Sequence, residues 1–272
     1  MTDSTGIRLN KFISDSGFCS RREADKLIEQ GRVVINGQVA IMGTRCMPGD
    51  EVQVDGRKIK ASAANKSDRI YIAYNKPVGI TCTTERHVKG NIVDAIGHRQ
   101  RIFPIGRLDK PSEGLIFLTT DGDIVNKILR AENAHDKEYL VTVDKPIDPH
   151  FVERMSSGIP ILDTVTKPCQ VFVEGRFQFR IILTQGLNRQ IRRMCEYLGY
   201  NVTRLKRIRI MNVRLGNLKP GQWRNLTSEE KAQINQAVAG SSKTAADTPH
   251  SSPRPRNRGK PSRSTPARRT TR

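Results

Sequence analysis

Two short stretches carry the residue types that could do chemistry. Gly106-Arg107-Leu108-Asp109 lies between the apolar runs at 102–105 and 115–118. Turn chemistry accounts for Gly106, Pro111 and Gly114, but not for a carboxylate and a guanidinium where the chain leaves and re-enters a core. Two readings stand: a structural Arg–Asp pair that closes the loop, and a catalytic carboxylate positioned by a strand end. The second stretch is Gly186-Leu187-Asn188-Arg189-Gln190-Ile191-Arg192-Arg193-Met194. Asn188 is the expected helix cap, and Ile191, Met194, Cys195 and Leu198 fall on one apolar stripe that Gly199 ends. Arg189, Arg192 and Arg193 cluster in the first two turns, where positive charge opposes the helix dipole. Helix stability does not explain them; a carboxylate or a phosphate does, and this weakens the purely structural reading of Asp109.

Composition points the same way. The chain has 272 residues, 36% of them hydrophobic, and a formal net charge of +20. Such an excess of Lys and Arg implies a polyanionic partner, because each phosphate contact releases counterions. A basic membrane-surface protein is the competing idea, but no apolar run reaches the roughly 18 residues of a spanning helix, and no signal-peptide pattern opens the chain. A cytosolic protein is expected. Five cysteines without a C-x-x-C, and five histidines without a metal-spaced pair, argue against a disulfide framework or a zinc site. Asp121-Gly122-Asp123 could hold Mg²⁺, though a turn with a helix cap is the plainer reading. No Walker loop or G-x-G-x-x-G occurs, so no nucleotide cofactor is indicated.

The elements that must position these stretches fall into two modules, 6–60 and 69–236. In the first, Ile7 to Ser16 has helical spacing and Gly17 to end it. Ser20-Arg21-Arg22-Glu23 is a capping box for a second helix, and Asn36-Gly37 and Asp55-Gly56 mark hairpin turns. Arg21 and Arg22 stand at a helix N-terminus, and with Lys26 lie off its apolar face. They read either as a solvated basic face or as a phosphate contact. Residues 61–68 have no apolar period and read as a linker that lets the modules move. The large module begins with a strand near 70–74 and a short helix at 91–96. It continues with the two strands around Asp109, a helix through Val125, and a strand at 137–143. A helix opened by Asp148-Pro149, a hairpin at 170–183, the Arg-rich helix and a stretch at 202–213, whose Arg204, Lys206, Arg207 and Arg209 continue the basic surface, follow. Thr227 to Glu230 caps a last helix. With no βαβ rhythm, the fold class is α+β with a mixed or largely antiparallel sheet. Residues 239–272 carry nine Lys and Arg against one Asp and have no apolar period. They read as a disordered basic tail, either solubilising or RNA-tethering.

R-L-N-K-F-I, S-R-R-E-A-D-K-L-I-E-Q-G-R-V-V-I-N-G and P-G-D-E-V-Q-V resemble the S4 RNA-binding domain, which implies shape-based binding of structured RNA through Arg21, Arg22 and Lys26. Y-I-A-Y-N-K-P-V-G-I, F-P-I-G-R-L-D-K-P-S-E-G-L-I-F-L, K-E-Y-L-V-T-V and G-L-N-R-Q-I-R-R-M, in that order, resemble the pseudouridine synthases of the rRNA small- and large-subunit group. N-K-I-L-R-A and R-I-M-N-V are most similar to its F-type, large-subunit branch. The resemblance implies a uridine isomerase without cofactor, with Asp109 as catalytic aspartate, Tyr139 stacking on the uracil and Arg192 pairing with the aspartate. It also implies Arg107 in the space left by the flipped base, Arg189 and Arg193 on phosphates, and Lys76 and Pro77 supporting the loop. It implies a 23S rRNA stem-loop as partner; a tRNA anticodon stem-loop of similar shape is a second candidate, and a monomer is the default expectation. The alternatives are a non-catalytic S4-type ribosome-assembly factor, which needs no Asp109–Arg192–Tyr139 set, and a nuclease, for which clustered carboxylates or His pairs are lacking.

Overall fold

The computed structural model describes residues 6–60, 69–85, 87–129 and 135–239. The expected linker at 61–68, and the expected tail beyond Ala239, lie outside these residues. So does the side chain of Asp123.

The N-terminal module opens with β1 (Ile7–Arg8), α1 (Leu9–Asp15) and α2 (Arg21–Glu29). The first helix starts two residues later than its periodicity suggests, because Ile7 pairs with Cys46 of β4 (Arg45–Cys46) as a strand. The capping box at α2 is formed in both directions: Ser20 Oγ accepts from Glu23 N–H, and the Glu23 carboxylate accepts from Ser20 N–H. β2 (Val33–Ile35), β3 (Gln38–Val39), β5 (Val52–Val54) and β6 (Arg57–Ile59) make an antiparallel sheet in the order β3-β2-β5-β6. Asn36 and Gly37 both have positive φ, as do Asp55 and Gly56, which matches the right-handed twist of the strands they join. Leu9, Ile13, Ala24, Ile28, Val33 and Val54 close this small core.

The large module contains β7 (Tyr71–Lys76), α3 (Ile92–Ile96), β8 (Phe103–Ile105), β9 (Glu113–Thr119) and α4 (Gly122–Leu129). β10 (Lys137–Val143), α5 (Phe151–Ser156), β11 (Pro160–Ile161), β12 (Thr164–Val165), β13 (Gln170–Gly175) and β14 (Gln178–Leu183) follow. The module closes with α6 (Gln190–Tyr197), β15 (Val202–Ile210), β16 (Val213–Arg214), β17 (Trp223–Asn225) and α7 (Ser228–Val238). α5 starts later than Asp148-Pro149 suggests: the Asp148 carboxylate turns to accept from His150 N–H and Tyr200 OH instead of capping a helix. Among the described residues, one mixed sheet runs in the order β13-β14-β10-β15-β9-β7-β17, with β8 beside β9 and β16 beside β15. Every pairing is antiparallel except β15 with β9. None of the helices described is long and apolar enough to cross a membrane.

β9 is buried on both faces, which is why it reads as a continuous apolar run. Leu115 and Phe117 meet Ile128 of α4 and Ile234 of α7, while Ile116 and Leu118 meet Ile72, Ile92 and Ile102. A third cluster packs Phe151, Met155 and Met194 onto Val141, Phe179 and Ile181. The modules also touch. Arg101, just before β8, donates to the carbonyls of Ser14 and Cys19 and to Ser14 Oγ, so the expectation of freely moving modules meets a direct contact.

The parallel seam between β9 and β15 depends on Gly114. Its φ is +107°, and a Cβ there would lie 2.3 Å from the carbonyl oxygen of Arg207. Gly114→Ala combines backbone strain with overpacking and is expected to destabilise the fold by roughly 3 kcal/mol. A denaturant midpoint equal to the wild type's would show that the seam does not need this approach.

Candidate active site

The loop 106–112 joins β8 to β9, and it is braced from three sides. Gly79 N–H donates to Lys110 O, Leu108 N–H to Cys82 Sγ, and Ser112 N–H back to Asp109 O. Lys76, fully buried, supports the neighbouring loop by donating to the carbonyls of Pro77 and Ile80 at 2.9 Å each. Burial lowers its pKa, while the nearby charges of Cys82, Asp109 and Glu113 act in the opposite sense. Gly106, at φ +81°, turns the chain where a Cβ would meet Leu129 at 2.8 Å. Leu108 faces the core, and Asp109 is left half-buried at the surface of a cavity of about 360 Å³.

Tyr139 lines the same cavity. It sits in β10 between β14 and β15, with Ile181 and Arg207 as its cross-strand partners. Its half-buried ring packs on two of the hydrophobic clusters. Arg107 and Arg189 are exposed at the cavity. Arg189 has φ +49°, a left-handed conformation that a long side chain seldom adopts, and it occupies the cap position of α6. Asn188, expected to cap, instead accepts from the Arg193 guanidinium through both its backbone and side-chain oxygens. Gln190 does local work in its place, accepting from Leu187 N–H at 3.0 Å.

Of the three arginines of α6, only Arg189 lines the cavity. Arg192 is buried behind it, donating to Val202 O at 3.0 Å, Pro111 O at 3.3 Å and Ser112 Oγ at 3.2 Å. The ion pair with Asp109 that the resemblance implies is not made within 4 Å; the guanidinium grips the end of the Asp109 loop by its carbonyl and hydroxyl. Arg192 Nε remains buried without a partner. Burial and then Arg189 lower its pKa, and Asp109 raises it, so the two groups are neighbours without touching. Arg193 is held by Asn188 and does not reach the cavity. Main-chain and side-chain oxygens thus serve part of what helix electrostatics assigned to a carboxylate or a phosphate. In the N-terminal module Arg21, Arg22 and Lys26 are all exposed, with Arg21 only loosely held by Asn10 Oδ1 at 3.4 Å.

Two cavity residues escaped the sequence. Lys137 is buried and donates to the carbonyls of His135 and Thr184. Arg207 was expected with Arg204, Lys206 and Arg209 on a continuous basic surface; it is 4% exposed and lies beside Tyr139. Arg209 is likewise turned inward, onto Glu138 and Asp136, and Arg204 pairs with Glu113. Asp121 is engaged by Arg69 and the Tyr71 hydroxyl, which accounts for its carboxylate without a metal.

Residues 70–197 match the model of the RNA pseudouridylate synthase family, and residues 7–52 that of the S4 domain. The dual-specificity RNA pseudouridine synthase RluF of Salmonella typhi is 59% identical over 245 residues, covering 90% of this chain and 84% of its own. RluF of Escherichia coli K12 is 57% identical over 242 residues, covering 89% and 83%. A crystal structure of a pseudouridylate synthase superimposes with a TM-score of 0.62 at 27% identity, over 84% of this chain and all of that one. The chain belongs to the RNA pseudouridine synthases. It is therefore an isomerase that acts on RNA, built from an S4 domain and a mixed-sheet catalytic domain, and the non-catalytic reading is set aside.

The burial of Lys137 has a consequence for the stability of this synthase. Desolvation, with Arg207 adding repulsion, lowers the Lys137 ammonium to about 8 from an ordinary 10.5. Between those values the unfolded chain binds the extra proton, so stability from this group rises with pH. Relative to Lys137→Met, the wild type is expected to gain on the order of 2 kcal/mol from about pH 7.5 to about pH 9.5. Chemical denaturation across that range measures it, and a pH-independent difference between the two proteins contradicts the depressed value.

Proposed function

We propose that the synthase isomerises a uridine in a structured stem-loop of 23S rRNA, and one in a tRNA anticodon stem-loop of similar shape, with Asp109 as nucleophile. The observation that carries the reading is that Asp109 is the one acidic side chain lining the cavity among the described residues, and that Tyr139 lines the same cavity. The two-substrate reading is supported by the relatives, which are named as dual-specificity enzymes. Isomerisation breaks N1–C1′, joins C5 to C1′ and moves a proton from C5 to N1, with no net redox change and no cofactor.

The target uridine leaves the stack to reach the carboxylate. Arg107, exposed at the mouth of the cavity, enters the space it vacates. The base lies on Tyr139, and Asp109 attacks at C6 or at C1′. Tyr139 assists removal of the C5 proton. The unpartnered Nε of Arg192 is the donor left for the Asp109 carboxylate when substrate closes the site. Arg189, and Arg193 further out, take phosphates. The S4 residues Arg21, Arg22 and Lys26 hold the surrounding RNA by shape and charge. The protein acts as a monomer in the cytoplasm.

Asp109→Asn is expected to abolish isomerisation while leaving RNA affinity within about twofold. Pseudouridine mapping of rRNA and tRNA from cells lacking the protein, complemented with wild type or this variant, reads both activity and target. Turnover by the variant sinks the assignment, and an unchanged map sinks the proposed substrates. Arg21→Ala with Arg22→Ala removes two phosphate contacts and should lower the slope of log affinity against log salt by about 1 to 2. An unaltered slope assigns these arginines to a solvated surface.

A further inference from the structure

Among the described residues Arg207 is a buried cation with no carboxylate within 4 Å. Its backbone lies against Gly114 on β9, and its side chain shares a face with its cross-strand partner Tyr139. Nε donates to Leu115 O at 2.6 Å, and Nη1 makes a long 3.4 Å contact with the Tyr139 hydroxyl. The guanidinium carbon stands 5.8 Å from the ring centroid. Nη2 is sealed from solvent with no partner, although the residue forms part of the cavity wall. The nearby carboxylates are taken: Glu113 by Arg204, Glu138 by Arg180 and Arg209. Lys137 adds a second buried cation at the same wall. An unpaired buried charge costs several kcal/mol, so this arrangement calls for negative charge that arrives with the substrate. Backbone phosphates are poor candidates, since the exposed Arg107 and Arg189 stand at the cavity entrance and Arg207 lies within.

The base itself becomes negative during the reaction. Attack of Asp109 on C6 pushes the C5=C6 electron pair toward O4. Attack on C1′ expels the uracil as an anion whose charge spreads from N1 onto O2 and O4. Both routes end with the new C5–C1′ bond, the C5 proton lost, N1 protonated and Asp109 regenerated. We propose that Arg207 is a further catalytic residue, whose Nη2, sealed and unpaired in the free enzyme, turns into the cavity to receive the exocyclic oxygen of the uracil on which this charge develops. The guanidinium lies over the Tyr139 ring, 5.8 Å from its centroid, so a base stacked on that ring comes within its reach. Electrostatic donors placed where charge develops act on the chemical step and not on ground-state affinity.

The proposal rests on the Asp109 reading, and its test separates the two. In single-turnover assays on a stem-loop RNA, Arg207→Met should slow uridine consumption by about 10²- to 10³-fold with RNA affinity unchanged. Replacing the target by 5-fluorouridine, whose base bears negative charge more readily, should shrink the deficit to under about tenfold. Arg207→Lys, which keeps the charge, should fall between. An equal deficit on both substrates, or none, overturns the proposal while leaving Asp109 intact; activity in Asp109→Asn removes the foundation instead. If the Arg207 variants do not fold, the wild-type enzyme carries the test. With 2-thiouridine or 4-thiouridine at the target, the sulfur facing Nη2 should slow turnover by about tenfold as a poor acceptor, and equal rates for all three substrates overturn the proposal.

Discussion

The active site depends on buried cations that are held by main-chain carbonyls and not by acids. Lys76 donates to Pro77 O and Ile80 O, Lys137 to His135 O and Thr184 O, Arg192 to Pro111 O and Val202 O, and Arg207 to Leu115 O. None of the four makes an ion pair within 4 Å among the described residues. A hydrogen bond to a charged group contributes about 1.5–3 kcal/mol, less than the several kcal/mol that desolvating an ion costs. The shortfall leaves a cavity of positive potential around the single acidic side chain that lines it. Such a site favours an anion formed in transit. A carboxylate partner on each cation would stabilise the fold and cancel that potential.

The same cations tie the site to the architecture. Arg192 reaches from α6 to the end of the Asp109 loop, and Lys76 shapes the neighbouring loop from β7. Arg207 crosses from β15 to β9 at the parallel seam, where Gly114 lets the strands close. Elements far apart in sequence, at 76, 109, 137, 192 and 207, are thus brought together by bonds that place charge and backbone at once. Tyr139 is fixed by packing, wedged between two hydrophobic clusters, so its ring is a rigid platform.

How much of this was legible in the sequence follows from which interactions are local. The Asn36-Gly37 turn, both capping boxes and the doubly buried run of β9 were readable, because each is decided within a few residues. Asp109 stood out because charge between two apolar runs has few uses. The basic strand at 202–213 was misread for a long-range reason. Its residues alternate, but which side of the sheet is covered depends on β9 and β10, nearly a hundred and some seventy residues earlier. Arg207 and Arg209 turned out to be the inner residues and Arg204 the outer one. The surroundings of the helix-borne arginines were hidden for a related reason: the oxygens that serve Arg192 come from Pro111, Ser112 and Val202, and no helix rule points to them. The early start assigned to α1 failed because Ile7 has a strand partner at Cys46 that spacing alone does not reveal.

The contact at Arg101 extends the same logic to RNA binding. This guanidinium binds carbonyl oxygens at the C-terminal end of α1 and in the turn leading to α2, where the helix dipole favours a cation. The turn continues into the arginines at the start of α2, and Arg101 itself stands two residues before β8, whose far end becomes the Asp109 loop. One side chain thereby sets where the basic face of the S4 module lies relative to the cavity. On the reading that the S4 arginines hold the RNA and Asp109 receives its uridine, a flexible join would let RNA bind in orientations that miss the carboxylate, and a contact at this point narrows them.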